Sequence, residues 1–555
     1  MKLDPGTSLS GGKYRVEVKN PDSKVYSPGM AKPRTSLLDT RDLSSNVEFI
    51  DLSAGKNVEI TTSFWAPEDY CQQNANLAAV CQNPTVPAPL PAPPTKRTLS
   101  MFPFNTRGNA VANPGLVNDL ANEAETGTMW GLGYNKVTKQ LFSAAYGKRG
   151  TKYGAGGPGA IYRTDPATGA TSLFTQVPNP GTTAHDPLTN MDLAFAPAVG
   201  KESLGDLDVS SDGKDLYVVN LRDRRLYRYD AMQATAAAQK ASYSIPDPGC
   251  AANSDWRPFG LGIQDSKVFV GGVCSAQSTQ NKADLRAVAY EFNPTTGQFT
   301  NTVMDQSLTY PRYPSSPPNP IFCGGRSWYP WSDTRPAVQD GVPCADNPSI
   351  IQPEPELSDI VFETNGDMVV TFGDRFADRA GWAMPDFPGF PATTALNGGD
   401  INRACRGANH MFVLDGNGGC ANNATMATNG GLQPLDVREF YPGDYAGGGS
   451  GFHAEVSEGA VAISKVETQI PYGAEDPILN PITGHGVAWL NRSDGTRPAG
   501  DDSAGLYLNN DFGKARGMGD LETMCDEAPL QLGNRVWFDT DQDGIQDPGE
   551  KPVVG

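Results

Sequence analysis

Five acidic side chains fall at fixed intervals near the C-terminus: Asp539, Asp541, Asp543, Asp547 and Glu550. Counted from Asp539, they take positions 1, 3, 5, 9 and 12 of a twelve-residue loop. Gly544 stands at position 6, where the chain must turn sharply, and Ile545 can offer its backbone carbonyl at position 7. Calcium is a hard cation that takes about six to eight oxygen ligands, and this spacing wraps one chain around it. The pattern predicts a Ca2+ site made by Asp539, Asp541, Asp543, Ile545, Asp547 and Glu550. The alternative is an acidic Gly/Pro turn that stays solvated.

Three further groups of residues could do chemistry, each with a plainer alternative. His453, Glu455 and Glu458, with His485 further on, pair carboxylates with imidazoles, as acid–base work requires. Their plain reading is polar residues at strand starts. Asp206 in "LGDLDV" and Asp359 in "LSDIVF" occupy matching places in two similar strands. They could ring a channel and hold a cation, or simply satisfy backbone donors of a neighbouring sheet. Trp328, Tyr329 and Trp331 lie between Cys323 and Cys344. On a clamped loop they could stack on a sugar or dock a protein, or pack the loop onto its own domain. The charged stretch "GDRFADRAG" reads as a self-paired turn.

The elements around the calcium loop decide its kind. An EF-hand needs a helix on each side, whereas here Val536 and Phe538 alternate with Arg535 and Trp537, and Pro548 and Pro552 discourage a helix. Strand–loop–strand is the expectation. "GNRVWFDTDQDGIQDPGE" resembles the first strand and calcium loop of the B-type immunoglobulin-like domains of serine–aspartate repeat (SdrD/Cna-B-like) bacterial surface proteins. Near the N-terminus, "GGKYRVEVKN" and "NVEFIDLSAGKNVEITTSFW" resemble later strands of the same domain type. The resemblance implies an extracellular, calcium-rigidified stalk and carries the six loop residues over as ligands.

Between these ends a looser repeat runs through "MWGLGYNKVTKQLFSAAY", "LGDLDVSSDGKDLYVVN", "PFGLGIQDSKVFVGGV", "LSDIVFETNGDMVVTFGD" and, less clearly, "HAEVSEGAVAI". Each unit is a strand, a tight turn and a second strand, as in propeller blades. "VSSDGKDLYVVN" also resembles strand pairs of YVTN/NHL-like propellers. Five blades are legible. A sixth is expected in an insertion or at the strand over 98–105, which could complete the last blade and close the ring. The expected organisation is all-β: part of a B-type immunoglobulin-like domain over 1–70, a Pro-rich linker over 71–96, a five- to six-bladed propeller over 97–527, and the start of another B-type domain over 528–555.

Acidic residues outnumber basic ones by 63 to 44, for a net charge of −19, which argues against nucleic acid and anionic membranes as partners. No apolar run approaches the ~18 residues of a membrane span. The start, "MKLDPGTSLSGG", shows no signal-peptide pattern, and the chain reads as an excerpt of a longer polypeptide. Eight of the nine cysteines suggest close pairs, Cys71/Cys81, Cys250/Cys274, Cys323/Cys344 and Cys405/Cys420, with Cys525 able to displace any of them. Such pairing fits an oxidising compartment.

These features predict an extracellular structural or adhesive segment, secreted or surface-attached, in which Ca2+ stiffens a stalk carrying a propeller. Its expected partners are neighbouring copies, flanking stalk domains, or a cell-surface glycan or protein. The two half-domains could also complement each other head to tail between subunits. A carbohydrate- or protein-binding propeller is the alternative. A propeller hydrolase or lyase has less support, because no nucleophile motif is present.

Overall fold

Apolar residues at every second position give a strand two sticky faces, and a stack of such sheets must cover both. The strand Asp215–Asn220 illustrates this: Leu216 and Val218 join one apolar cluster, while Tyr217 and Val219 join another. In the computed structural model this pattern recurs around a ring. The structure describes residues 12–20, 26–28, 47–53, 64–85, 96–187, 192–235, 238–310, 312, 323–325, 327–339, 341–345, 347–385, 392–407, 409–420, 439–442, 444–445, 455–478, 483–498, 505–529, 536–548, 550–551 and 553.

Contacts divide the chain into Cys71–Asp526 and a second unit, Met1–Tyr70 with Glu527–Gly555. The larger unit contains six four-stranded antiparallel blades. Their inner strands are Met129–Asn135, Leu204–Val209, Trp256–Gln264, Pro355–Phe362, Ser457–Val461 and Met518–Met524. Each inner strand packs beside the next, and the last packs beside the first, so the ring closes. A separate apolar cluster fills each of the six blade interfaces. The protein is an all-β propeller with six blades.

The sixth blade joins the two ends of this unit. Met518–Met524 pairs with Asn76–Cys81, which pairs with Arg97–Pro103 and then Asn118–Asn122. The strand expected over 98–105 does take part, but residues 76–81, placed in a linker by their neighbouring prolines, form a strand as well. Residues 86–95 of that stretch lie outside the described residues. In Asn76–Cys81, Leu77, Ala79 and Cys81 face the fifth blade, and Ala78 and Val80 face the first.

The disulfides correct one expectation. Cys71 pairs with Cys525, and Cys81 is a buried free thiol that burial pushes up to about 12. Cys71 precedes one strand of the closing blade and Cys525 follows its neighbour, so this bond clasps the ring where its ends meet. Cys250–Cys274, Cys323–Cys344 and Cys405–Cys420 form as the sequence suggested.

In the smaller unit Lys13–Glu17 pairs with Val47–Asp51, and Ser27–Pro28 with Phe64–Trp65. Val58 and Ile60, expected in a strand, lie outside the described residues. Among the described residues, no helix is long and apolar enough to cross a membrane.

Candidate functional sites

The C-terminal loop has the expected frame. Phe538 N–H donates to Lys551 O at 3.0 Å and Val553 N–H to Val536 O at 2.8 Å, so the flanks pair as strands, not helices. Gly544 takes φ +78°, which a residue with a Cβ adopts only with strain. Asp539 accepts from the N–H groups of Gln542 and Gly544 at 2.8 and 2.9 Å, and Glu550 from those of Thr540 and Asp547 at 2.6 and 2.9 Å. Those bonds hold the Glu550 carboxyl below its usual range, while slight desolvation and neighbouring Asp543 raise Asp541. Carboxylate oxygens of Asp539, Asp541 and Glu550 lie within 4.8 Å of one another, as do those of Asp541, Asp543 and Asp547. Hard oxygen donors at this spacing fit calcium, with Ile545 able to add its carbonyl.

The inner-strand aspartates resolve differently. Every inner strand or its neighbour is bulged at the same level, which breaks the ladder and leaves an N–H to be satisfied. Asp206 accepts Leu261 N–H at 2.8 Å, Asp359 accepts Val461 N–H at 2.8 Å, and Asp520 accepts Leu132 N–H at 3.0 Å. Each bond crosses to the next blade, where a small residue stands just before the donor: Gly260, Ala460 or Gly131. A Cβ on Gly131 would sit 2.6 Å from Leu207 N, and one on Gly260 2.9 Å from Asp359 N. Aspartate and small residue thus alternate around the ring as inter-blade staples. Burial, and then the other aspartates, push Asp206 and Asp520 well up, and burial pushes Asp359 up to about 7. Asp520 was missed from the sequence, although "GDL" at 519–521 repeats 205–207.

The N-terminal end of the inner strands is filled by charge. Arg516 stacks over Trp130 at 3.9 Å and pairs with Glu356 and Asp378, each at 2.8 Å. Lys148 meets Asp378 at 2.6 Å. Asp378 belongs to the buried helix Arg375–Ala380, so "GDRFADRAG" is not a self-paired surface turn: its charges serve neighbouring blades. Glu458 is equally committed, to His485 Nδ1 at 2.6 Å and to the N–H groups of Gly517 and Met518. His453 lies outside the described residues.

Trp328, Tyr329 and Trp331 are each 1% exposed, so they offer no ring face to a ligand. Trp328 N–H donates to Tyr310 Oη at 3.3 Å, and Trp331 N–H to Pro355 O at 2.8 Å. They pack the insertion onto the blades, with Arg312 over Trp328 at 3.7 Å and Arg375 over Trp331 at 4.7 Å.

Glu455, expected at the funnel, lies instead with Asp400, Glu439 and Asp444, beside the third strand of the fourth blade, Asp400–Arg406. One oxygen from each lies within 4.8 Å of the others, and all four residues are buried. Arg312 pairs with Glu455 at 2.7 Å and Asp400 at 3.3 Å. A separate surface cleft of about 410 Å³ is lined by Lys201, Arg222, Arg224 and Arg257 with Glu202. Desolvation, then neighbouring Arg375, lowers Lys201 to about 7.

No family model matches the chain. It is similar to colossins of Dictyostelium discoideum. Colossin-A is 26% identical over 520 residues, 89% of this chain and 4% of that protein. Colossin-D is 25% identical over 503 residues, 86% of this chain and 49% of that protein. The chain therefore spans less than half the length of these relatives. Among solved structures, one chain of a nidogen/laminin complex covers 80% of this chain at 8% identity and a TM-score of 0.34, with 97% of its own length matched. The Dos1 propeller covers 72% at 9% identity and a TM-score of 0.30, with 64% of its own length matched. The six blades are read from strand pairing and not from these likenesses.

Proposed function

We propose that this chain is an extracellular structural and recognition segment, in which a disulfide-clasped propeller is carried by β-domains that calcium stiffens. The carrying observation is the frame of 539–550: five carboxylates on a turn with Gly544 at φ +78°, between backbone-paired strands. Cation binding there would neutralise the acidic cluster and make the flanking strands one rigid hinge. Four disulfides support an oxidising compartment. Similarity to colossin-A over 89% of the chain extends beyond Cys71–Asp526, which supports propeller and flank as parts of one design.

Val536, Phe538 and Val553 are 68%, 61% and 41% exposed on the terminal strands, an apolar edge that a neighbouring β-domain would cover. Light scattering across a concentration series, with calcium and then with chelator, tests this. Assemblies that grow with concentration and collapse in chelator support calcium-gated association of copies. A monomer in both states confines calcium to stiffening the chain itself. Isothermal titration that finds no calcium bound, or binding unchanged in Asp543→Ala, sinks the stalk reading.

The cationic cleft favours a second reading, that the propeller recognises an acidic ligand such as a carboxylated or sulfated glycan. Arg222, Arg224 and Arg257 bring three guanidinium groups to one cleft on a chain of net charge −19. Binding of heparin-like oligosaccharides that weakens with salt and disappears in Arg222→Ala/Arg224→Ala would support it.

A further inference from the structure

We infer that the propeller itself contains a second calcium site, buried between its fourth and fifth blades and made by Asp400, Glu439, Asp444 and Glu455. These residues come from three places. Asp400 opens the third strand of the fourth blade, Glu439 and Asp444 lie in the connection after its fourth strand, Phe412–Leu414, and Glu455 stands two residues before the inner strand of the fifth. They are 2%, 4%, 3% and 1% exposed.

Several other buried carboxylates of the propeller meet cations, and Asp206, Asp359 and Asp520 meet backbone N–H groups instead. Glu356 and Asp378 face Arg516 and Lys148, Glu354 and Asp333 share Arg375 with Lys201, and Glu363 pairs with Arg492. Here Arg312 pairs with two of the four carboxylates, Glu455 and Asp400, and Arg497 adds a further positive charge near Asp444. Burying unpaired ionised carboxylates is prohibitively costly, so a further positive charge or bound protons must balance them. An independent observation points to where that charge belongs: Asp400 Oδ1, Glu439 Oε2 and Asp444 Oδ2 are buried with no hydrogen-bond partner among the described residues. An acid held neutral by its own proton would donate to a neighbouring oxygen, whereas unpartnered oxygens on three of four carboxylates that approach within 4.8 Å of one another suit the ligands of a cation.

The donor set selects the ion. All four groups are carboxylates, without sulfur or imidazole, which excludes the soft-metal pattern and suits a hard divalent cation. Oxygens bound to calcium at about 2.3–2.6 Å lie up to about 5 Å apart across the ion. The observed spread of no more than 4.8 Å fits that shell. With calcium bound, four carboxylates, the Arg312 guanidinium and one divalent ion leave a single negative charge, which Arg497 nearby offsets. The site would tie Glu439 and Asp444 to the strand that Asp400 opens and to Glu455.

The test uses the full chain and calcium alone as probe. Isothermal titration is run on the wild type, on a chain whose C-terminal loop is disabled by Asp541→Ala/Asp543→Ala, on Glu439→Gln/Asp444→Asn, and on the combination. The expected result is binding that persists in each single set of substitutions and vanishes in the combination. The isosteric Gln and Asn keep shape and remove charge, so these variants fold even where metal is lost. Thermal melts of the loop-disabled chain read the same site separately: calcium should raise its melting temperature, and Glu439→Gln/Asp444→Asn should abolish that rise. A loop-disabled chain that neither binds calcium nor gains stability from it overturns the inference. So does a calcium-induced rise that survives Glu439→Gln/Asp444→Asn.

Discussion

The C-terminal loop and the blade-four cluster both gather acidic oxygens, yet they do so under opposite physical conditions. In the loop, Asp541, Asp543 and Asp547 are exposed, and water screens their repulsion before any cation arrives. In the cluster, four carboxylates are buried, with Arg312 paired to two of them and Arg497 near Asp444. Burial and mutual repulsion push Glu439 and Asp444 well above the usual carboxylate range. Local spacing is enough to build the first arrangement, while the second exists only because separate elements are forced together.

The comparison breaks most sharply at Arg312. Arg312→Met leaves Glu455 and Asp400 without their paired guanidinium and should cost about 3–5 kcal/mol of unfolding free energy in chelator. Asp541→Asn should leave the calcium-free chain unchanged in the same denaturant titration. Equal effects would mean the interior cluster is as solvated as the loop.

Next comes the clasp. Cys525→Ser opens Cys71–Cys525 and should cost about 2–5 kcal/mol, because the bond spans 454 residues and joins the ends of the ring. Cys405→Ser/Cys420→Ser, which opens a link of 15 residues, should cost less.

Asp359 and Glu550 contribute to stability with opposite dependence on pH. Asp359 titrates in the folded chain at about 7, above its usual 3.8, so the folded state holds the proton longer. Its contribution is complete below the unfolded value and is lost as pH rises towards 7. Asp359→Asn should flatten that loss in melts taken from pH 4 to 7. Glu550 runs the other way: its carboxyl is lowered, so its contribution is present above the usual value and lost as pH falls.

The smallest effect is at the turn. Gly544→Ala forces an L-residue to φ +78° with no clash around its Cβ, which should cost about 1–2 kcal/mol and weaken calcium binding roughly 5- to 30-fold. Unchanged affinity would mean the loop binds its ion in another conformation.

Much of the propeller was legible because its grammar is local. Hairpins such as Leu204–Val209 with Asp215–Asn220 announce themselves by alternation and by Gly213 at the turn, where φ is +72°. The matched places of Asp206 and Asp359 were legible too. Their role as acceptors of a neighbouring sheet's backbone donors was one of two readings open in the sequence, but the donors themselves, Leu261 and Val461, lie far away along the chain and were not legible. Trp328 and Trp331 misled for the same reason: a tryptophan between cysteines looks the same whether its loop stands in water or folds onto Arg312 and Arg375.

The sequence by itself determined the turn of the acidic loop over 539–550, the strand pairs of five blades and three of the four disulfides, because each rests on spacing within a few dozen residues. Tertiary structure alone decided the rest. Asn76–Cys81 became a strand only because Met518–Met524 needed a partner to close the ring. Cys71 found Cys525 and not Cys81 because closure brought them together, and Asp400, Glu439, Asp444 and Glu455 converged where two blades meet. Backbone pairing and desolvation act between neighbours in space, and distance along the chain does not reveal who those neighbours are.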